Sequence, residues 1–519
     1  MTTFEWIIAL LLGAVALSAL ARQIKVPYPT FLAIGGVLLA FVPSGPSWTL
    51  EPNLALALFV APVLLDAAYD TSLRDLRDNW LPVSMLVFAA VGVTTAAVAV
   101  LAHWLVPDMP WAAAVALGAI VAPPDAAAAT TVLREVKLPY RILKILEGES
   151  LLNDASALLI YRVAVGVAAT AHFKLSEFAP QIALALAGSL VAGYLFAKLW
   201  MVTTLRVTEV PSAIILQFAC TFTVWIVAER IGLSGILTIV AYAITIARTA
   251  PARIPARLRV PTYAVWETAV FILNVLAFIL IGMQLRPIWT RLDDMVRSEY
   301  VAVAAWVLAA VIVARIVWVM FYGVTFRAVI ASGFLASGLL HRPRAMAVPT
   351  LRGGIVVSWC GMRGIVTLAA AFALPDNFPY RDLILLTAFA VVLGSLVMQG
   401  LTLRPLINLL KLKADNPVAI EVARARSIAY RAALEEIDGD PSEEAEILRL
   451  EYRAMLMRAE SDPDGGVSTG ELPADPLRRR ALAAGRQAIL DLRRSEDIGD
   501  DAFHQIEEEL DRAELSAQG

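Results

Sequence analysis

Thirteen apolar stretches run through the first 410 of the 519 residues, each long enough, or nearly so, to cross a bilayer. They lie near 4–21, 28–43, 53–69, 81–102, 110–132, 142–169, 178–202, 211–228, 232–248, 264–285, 299–324, 354–374 and 382–403. A membrane-crossing helix needs about 20 mostly apolar residues. In hydrocarbon a chain has to satisfy its own backbone N–H and C=O groups, so runs of this kind fold as helices. Composition agrees: 59% of residues are hydrophobic and 17% charged, against about 45–50% and about 25% in soluble domains. Disorder, fibrous repeats and a disulfide scaffold are excluded. The net charge of −3 gives no basic face for nucleic acid. Cys220 and Cys360 both sit in apolar runs and read as small buried hydrophobes.

The average hides two parts. Residues 411–519 carry 15 Lys and Arg against 25 Asp and Glu, while 1–410 carry 28 against 21. The sequence therefore divides into a transmembrane body, 1–410, and an acidic, helix-prone tail, 411–519, placed in the cytosol. In the tail Val418, Val422, Ile428, Ala432 and Leu434 recur at helical spacing. Asp440-Pro441 and Asp475-Pro476 open a second and third helix, with proline at the first helical position. A fourth covers roughly 500–516. The tail has no nucleotide loop, His cluster or catalytic dyad, and reads as a small regulatory or assembly domain.

Loop cations set the orientation, because Lys and Arg gather on the cytoplasmic side. With the N-terminus outside, 19 fall in inside loops, 6 in outside loops, and Arg162, Arg315 and Arg363 remain within spans. That ratio favours thirteen spans with the C-terminus in the cytoplasm. The first span imitates a signal peptide at Ser18-Ala19-Leu20-Ala21, but its cations Arg22 and Lys25 follow the apolar run instead of preceding it. It reads as a retained helix.

Ionisable groups inside spans are costly and mark pathways or paired sites. They concentrate in three places. In the sixth span, Glu149, Ser150, Asn153 and Asp154 fall within about 140° on one helix face, as two i,i+4 rungs, with Leu151, Leu152 and Leu159 opposite. A network serving packing alone does not require three carboxylates, Glu147 included, within two turns. In the fifth span, Ala122-Pro123-Pro124-Asp125 removes two backbone donors before Thr130 and Thr131. The helix should break there, and broken helices form midplane ion sites in secondary transporters. In the twelfth, Gly361 and Gly364 flank Arg363. A buried guanidinium needs a carboxylate, and Glu149 or Glu147 is the expected partner. The fifth and twelfth spans lie seven apart, an odd number, so an inverted repeat of spans 1–6 and 8–13 would bring the two breaks face to face. Asp66, Glu267 with Asn274, and Arg315 are further intramembrane polar groups, as suited to structural pairing as to ion handling. The four histidines are scattered and suggest no metal site.

The strings ALGAIVAPPDAAAATTVL, LEGESLLNDASALLIYR and SWCGMRGIVTLAAAFALP resemble the bacterial monovalent cation:proton antiporter-1 family, the sodium/proton exchangers. VWETAVFILNVLAFILIGMQL and VVLGSLVMQGLTLRPLI match its later helices, and LRRSEDIGDDAFHQIEEELD looks like the C-terminal domain of its bacterial subgroup. The resemblance covers essentially all of 1–410. It implies an all-α polytopic membrane protein: a homodimer of thirteen-helix protomers with inverted repeats, two discontinuous crossing helices and a cytosolic helical tail, set among the lipids of the bacterial inner membrane. It implies that Asn153-Asp154 is the family's Asn-Asp pair, with Asp154 the carrier of cation or proton. Ser150 is a near neighbour holding Na⁺ with it, and Glu149 pairs with Arg363. One departure stands out: many relatives place the aspartate before proline, whereas Asp125 follows Pro123-Pro124. Electrogenic relatives carry two aspartates where this chain has Asn153-Asp154, so the resemblance implies one-for-one, electroneutral exchange. The expected substrates are Na⁺ or Li⁺ and H⁺, with K⁺/H⁺ exchange the close alternative, and no cofactor is called for. A channel would share the polar groups but conduct without proton coupling. An intramembrane enzyme ranks last, since Ser150 has no nearby His or Lys base.

Overall fold

A computed structural model describes residues 2–24, 26–42, 51–125, 138–170, 175–204, 206–332, 350–412, 415, 417–461, 475–495, 506–507 and 509–513. Thr130, Thr131, His172, His341 and His504 lie outside these residues. The chain forms two compact units, Met1–Ala414 and Asp415–Gly519. Every regular element among the described residues is a helix.

In the first unit the helices are α1 (Thr2–Gln23), α2 (Tyr28–Ala40), α3 (Pro52–Tyr69), α4 (Leu73–Asp78), α5 (Trp80–Leu105), α6 (Trp111–Val121), α7 (Tyr140–Thr170) and α8 (Leu175–Thr204). There follow α9 (Val210–Arg230), α10 (Gly235–Thr249), α11 (Ala256–Met283), α12 (Leu285–Arg291), α13 (Asp294–Ala331), α14 (Leu351–Trp359), α15 (Ile365–Phe372) and α16 (Arg381–Leu410). Among the described residues nine helical segments are long and apolar enough to cross a membrane, and α2, α6 and α10 are shorter apolar helices. Their outer faces are oily: Leu184, Leu195 and Leu199 on α8 and Trp306 and Phe321 on α13 are all exposed. Large apolar side chains on the outside and a buried interior suit a lipid solvent.

One helix pair, α2 and α11, meets at backbone distance from both sides. A Cβ on Gly36 of α2 would strike Ile279 O of α11, and one on Gly282 would strike Ala33 O. Only glycine permits so close a crossing. Two helices also widen into π turns, at Leu56–Val60 in α3 and Met85–Ala90 in α5. Such turns loosen the i→i−4 ladder and free carbonyls for other donors. In α5 those donors are side chains: Trp318 Nε1 donates to Met85 O at 3.1 Å, and Ser156 Oγ to Val87 O at 2.6 Å. Neither π turn is announced by the sequence.

The second unit contains α17 (Pro417–Ile437), α18 (Glu443–Ser461) and α19 (Asp475–Arg494). Tyr430 and Tyr452 pack across α17 and α18 with ring centroids 6.2 Å apart, and Arg431 meets Glu460 at 2.5 Å. α18 starts later than its Asp-Pro signal suggests. Asp440 accepts from Ser442 N–H at 2.9 Å, and Ser442 Oγ then accepts from Ala445 N–H at 3.2 Å. Ser442 is the capping residue, so Pro441 stands before the helix.

Candidate functional site

α6 ends at Val121 because the next turn lacks donors. Pro123 and Pro124 have no N–H for the carbonyls of Ala119 and Ile120, and the Asp125 N–H goes elsewhere. It donates to Met362 O at 2.7 Å, in the stretch between α14 and α15. The two breaks are thus hydrogen-bonded backbone to backbone. Arg363 completes the junction. Its Nε donates to Val121 O and one Nη to Ala122 O, both at 3.0 Å, and the other Nη donates to Gly361 O. Its own N–H donates to Ser395 Oγ on α16 at 3.0 Å. Arg363 is 1% exposed, and its guanidinium supplies donors to Val121 O and Ala122 O at a buried helix end whose Asp125 N–H has turned to Met362 O.

That arrangement corrects one expectation. Glu149 does not pair with Arg363. It forms a two-pronged bridge with Arg315 of α13, Nη1 to Oε1 at 2.5 Å and Nη2 to Oε2 at 2.8 Å, and Arg315 Nη2 also donates to Val357 O at 3.0 Å. Both side chains are at most 3% exposed. The reason is acceptor supply: the orphaned carbonyls at the end of α6 occupy Arg363, so Glu149 takes the other buried guanidinium. Arg315 is therefore the ion-pair partner. Glu147 pairs at 2.7 Å with Lys144, one turn back on α7.

Asn153 is fully buried and ties α7 to the first break, its Nδ2 donating to Pro124 O at 2.5 Å. Its Oδ1 accepts from Asp154 N–H at 2.7 Å. The next position, Asp154, is only partly buried. It lines a cavity of about 610 Å³ together with Ser150, Glu147 and Lys144 of α7 and Asp125 of the first break. Ile365 and Val366 at the start of α15 close this wall, while Asp66 of α3 and Glu267 and Asn274 of α11 line the other. Arg22 and Asp70, both exposed, mark where it reaches the surface. A profile described as "Sodium/hydrogen exchanger, transmembrane" matches residues 7–409. The chain belongs to the sodium/hydrogen exchanger family.

Members of this family with similar sequences include the "Sodium, potassium, lithium and rubidium/H(+) antiporter" of Bacillus subtilis (strain 168). It is 27% identical over 534 residues, covering 98% of this chain and 77% of the relative. The "Low-affinity Na(+)/H(+) antiporter NhaS1" of Synechocystis sp. is 30% identical over 451 residues, covering 84% of this chain and 80% of the relative. The solved structure of the sodium proton antiporter MjNhaP1 from Methanocaldococcus jannaschii at pH 8 shares the fold. Its TM-score is 0.59 at 18% identity, covering 77% of this chain and 100% of that one. The exchanger fold thus brings Asp125, Ser150 and Asp154 to one cavity wall, and keeps Glu149, Arg315 and Arg363 behind it as buried supports.

Asp125 packs directly on the second break. A Cβ at Gly364 would overlap its carboxylate oxygen and come within 2.5 Å of its Cγ. Rotation can carry the carboxylate away, but Asp125 Cβ, 2.7 Å off, moves only with its backbone, so Gly364→Ala should displace Asp125 together with the first break. The expected result is a rise in apparent KM for the cation of about tenfold, the scale of a typical overpacking cost. Gly13→Ala serves as control, since nothing lies within 4 Å of its Cβ position. A Na⁺ titration of both variants in membrane vesicles measures the difference.

Proposed function

We propose that the chain exchanges Na⁺ or Li⁺ for H⁺ across a bacterial plasma membrane, with Asp154 as the carboxylate that holds either ion. One observation carries this reading. Asp154 is a partly buried carboxylate at the closed end of a surface-connected cavity, beside two helix breaks bonded to each other. Na⁺ is a hard cation that takes oxygen ligands. Asp154 and Ser150 supply two, and a carbonyl or hydroxyl near Pro123–Thr130 and water complete the set.

Proton and cation compete for one carboxylate. Either neutralises it, and only the neutralised site crosses the low-dielectric barrier between the two openings; moving it empty and charged costs several kcal/mol. Exchange is then one-for-one and electroneutral, with Asn153 as a structural tie instead of a second carboxylate. Alternating access is a rocking of the wall that holds α6, α7 and α15 against the wall that holds α3 and α11. The working molecule is a homodimer of thirteen-span protomers in which α6 and the α14–α15 pair begin the two crossing helices. Its N-terminus is outside, and the second unit lies in the cytosol.

The test is dequenching of a pH-sensitive dye in everted vesicles on adding Na⁺, Li⁺ or K⁺. Na⁺ and Li⁺ are expected to dequench. Better dequenching by K⁺ selects the K⁺/H⁺ alternative; potassium is among the ions for which the Bacillus relative is named. No response to any of the three overturns the exchange reading. Acid should slow exchange by competition. Where the carboxylate is mostly protonated, each pH unit downward raises the apparent KM for Na⁺ by about tenfold.

A further inference from the structure

The cavity stops at Asp154, and a second charged pair lies beyond it. Along α7 the lining residues are Lys144, Glu147, Ser150 and Asp154, and none further on. Arg162 sits eight residues past Asp154, about 12 Å along the axis at 1.5 Å per residue. Its Nη2 meets Glu229 Oε2 of α9 at 2.6 Å, both side chains being roughly two-fifths exposed at 43% and 37%. The pair joins two helices. Arg162 belongs to the helix that carries Asn153 and Asp154. Glu229 belongs to the α8–α10 group, in which Ser234 N–H donates to Ser189 Oγ at 2.9 Å.

Glu229 is held ready for its partner. The α9–α10 turn closes with Leu233 N–H on Ala228 O at 2.9 Å and Gly232 N–H on Glu229 O at 3.2 Å, with Gly232 at φ +80°. This is the double bond of a glycine-closed helix end. The other carboxylate oxygen, Oε1, accepts from Gly235 N–H at 2.8 Å, at the positive end of α10. A carboxylate anchored through Oε1 and bonded through Oε2 to a guanidinium on another helix is placed where a movement of α7 against α9 would break the contact.

We infer that the Arg162–Glu229 pair is a latch that closes the face of the molecule opposite the cavity mouth. It favours the arrangement seen here, in which Asp154 is reached from the side of Arg22 and Asp70. The inference rests on the proposed alternating access for its meaning, but its test reads no ion. Leu158, partly buried between Asp154 and Arg162, is replaced by cysteine. Its labelling by a membrane-impermeant maleimide is followed in intact cells, with the parent chain, which carries Cys220 and Cys360, as background. Adding Arg162→Gln is expected to speed labelling by about two- to fivefold, the worth of a half-exposed ion pair. Glu229→Gln, which can still accept from Gly235 N–H, should do the same and covers the case in which the arginine variant misfolds. The double exchange Arg162→Glu with Glu229→Arg should restore slow labelling. Unchanged labelling in the folded single variants, or a rise that the double exchange does not reverse, overturns the latch. Failure of the exchange reading is seen separately, as a parent chain that gives no dye response.

Discussion

Asp154→Asn is expected to reduce cation-induced dequenching to the level of vesicles without the protein, while the variant reaches the membrane in normal amount. The amide keeps the shape and one oxygen ligand but can neither release a proton at working pH nor offset a cation's charge. Both halves of the exchange are lost together, which distinguishes a carrier from a residue that only tunes affinity. Because Asp154 lines a cavity and makes no ion pair among the described residues, stability should change little. Retained exchange in this variant sinks the assignment of Asp154. Asn153 gives the contrast: its amide bonds Pro124 O and Asp154 N–H, so Asn153→Ala should disturb the join between α7 and the first break.

The second large effect concerns folding. Arg315→Ala leaves the Glu149 carboxylate buried at 2% exposure with no cation on it. Removing one partner of a buried pair costs about 3–5 kcal/mol, a large share of the about 5–15 kcal/mol that holds a typical protein folded. The expected result is loss of the monodisperse peak on size-exclusion chromatography in detergent and a fall in membrane yield. Replacing both partners with apolar residues of similar size, Glu149→Leu with Arg315→Met, should recover much of the fold, since no charge is then stranded. If Arg315→Ala alone behaves like the parent, the bridge is not a structural support.

These residues mark what the sequence makes legible. The face carrying Ser150, Asn153 and Asp154 can be read from i,i+4 spacing alone, because helical periodicity is local. The stop of α6 can be read from Pro123 and Pro124, whose missing donors are a property of those two residues. The choice between Arg315 and Arg363 as partner to Glu149 is not local. It is settled across a separation of 166 positions and by carbonyls at Val121 and Ala122 that compete for Arg363. Backbone acceptors leave no mark in a sequence, so counting carboxylates picks the wrong arginine. The π turns of α3 and α5 escape for a related reason: the side chains that satisfy α5, Trp318 and Ser156, lie 233 and 69 positions away.

The junction between the two breaks also has a genetic side. Its acceptors at Val121, Ala122 and Pro124 are all main-chain oxygens, which no codon change can delete. Substitutions within that segment leave the acceptors in place. Apart from the Asp125 N–H on Met362 O, the donors are side chains encoded far away, Arg363 up to 242 positions and Asn153 29 positions distant. Loss of these side-chain bonds should therefore map outside the first break, at the codons for Arg363 and Asn153.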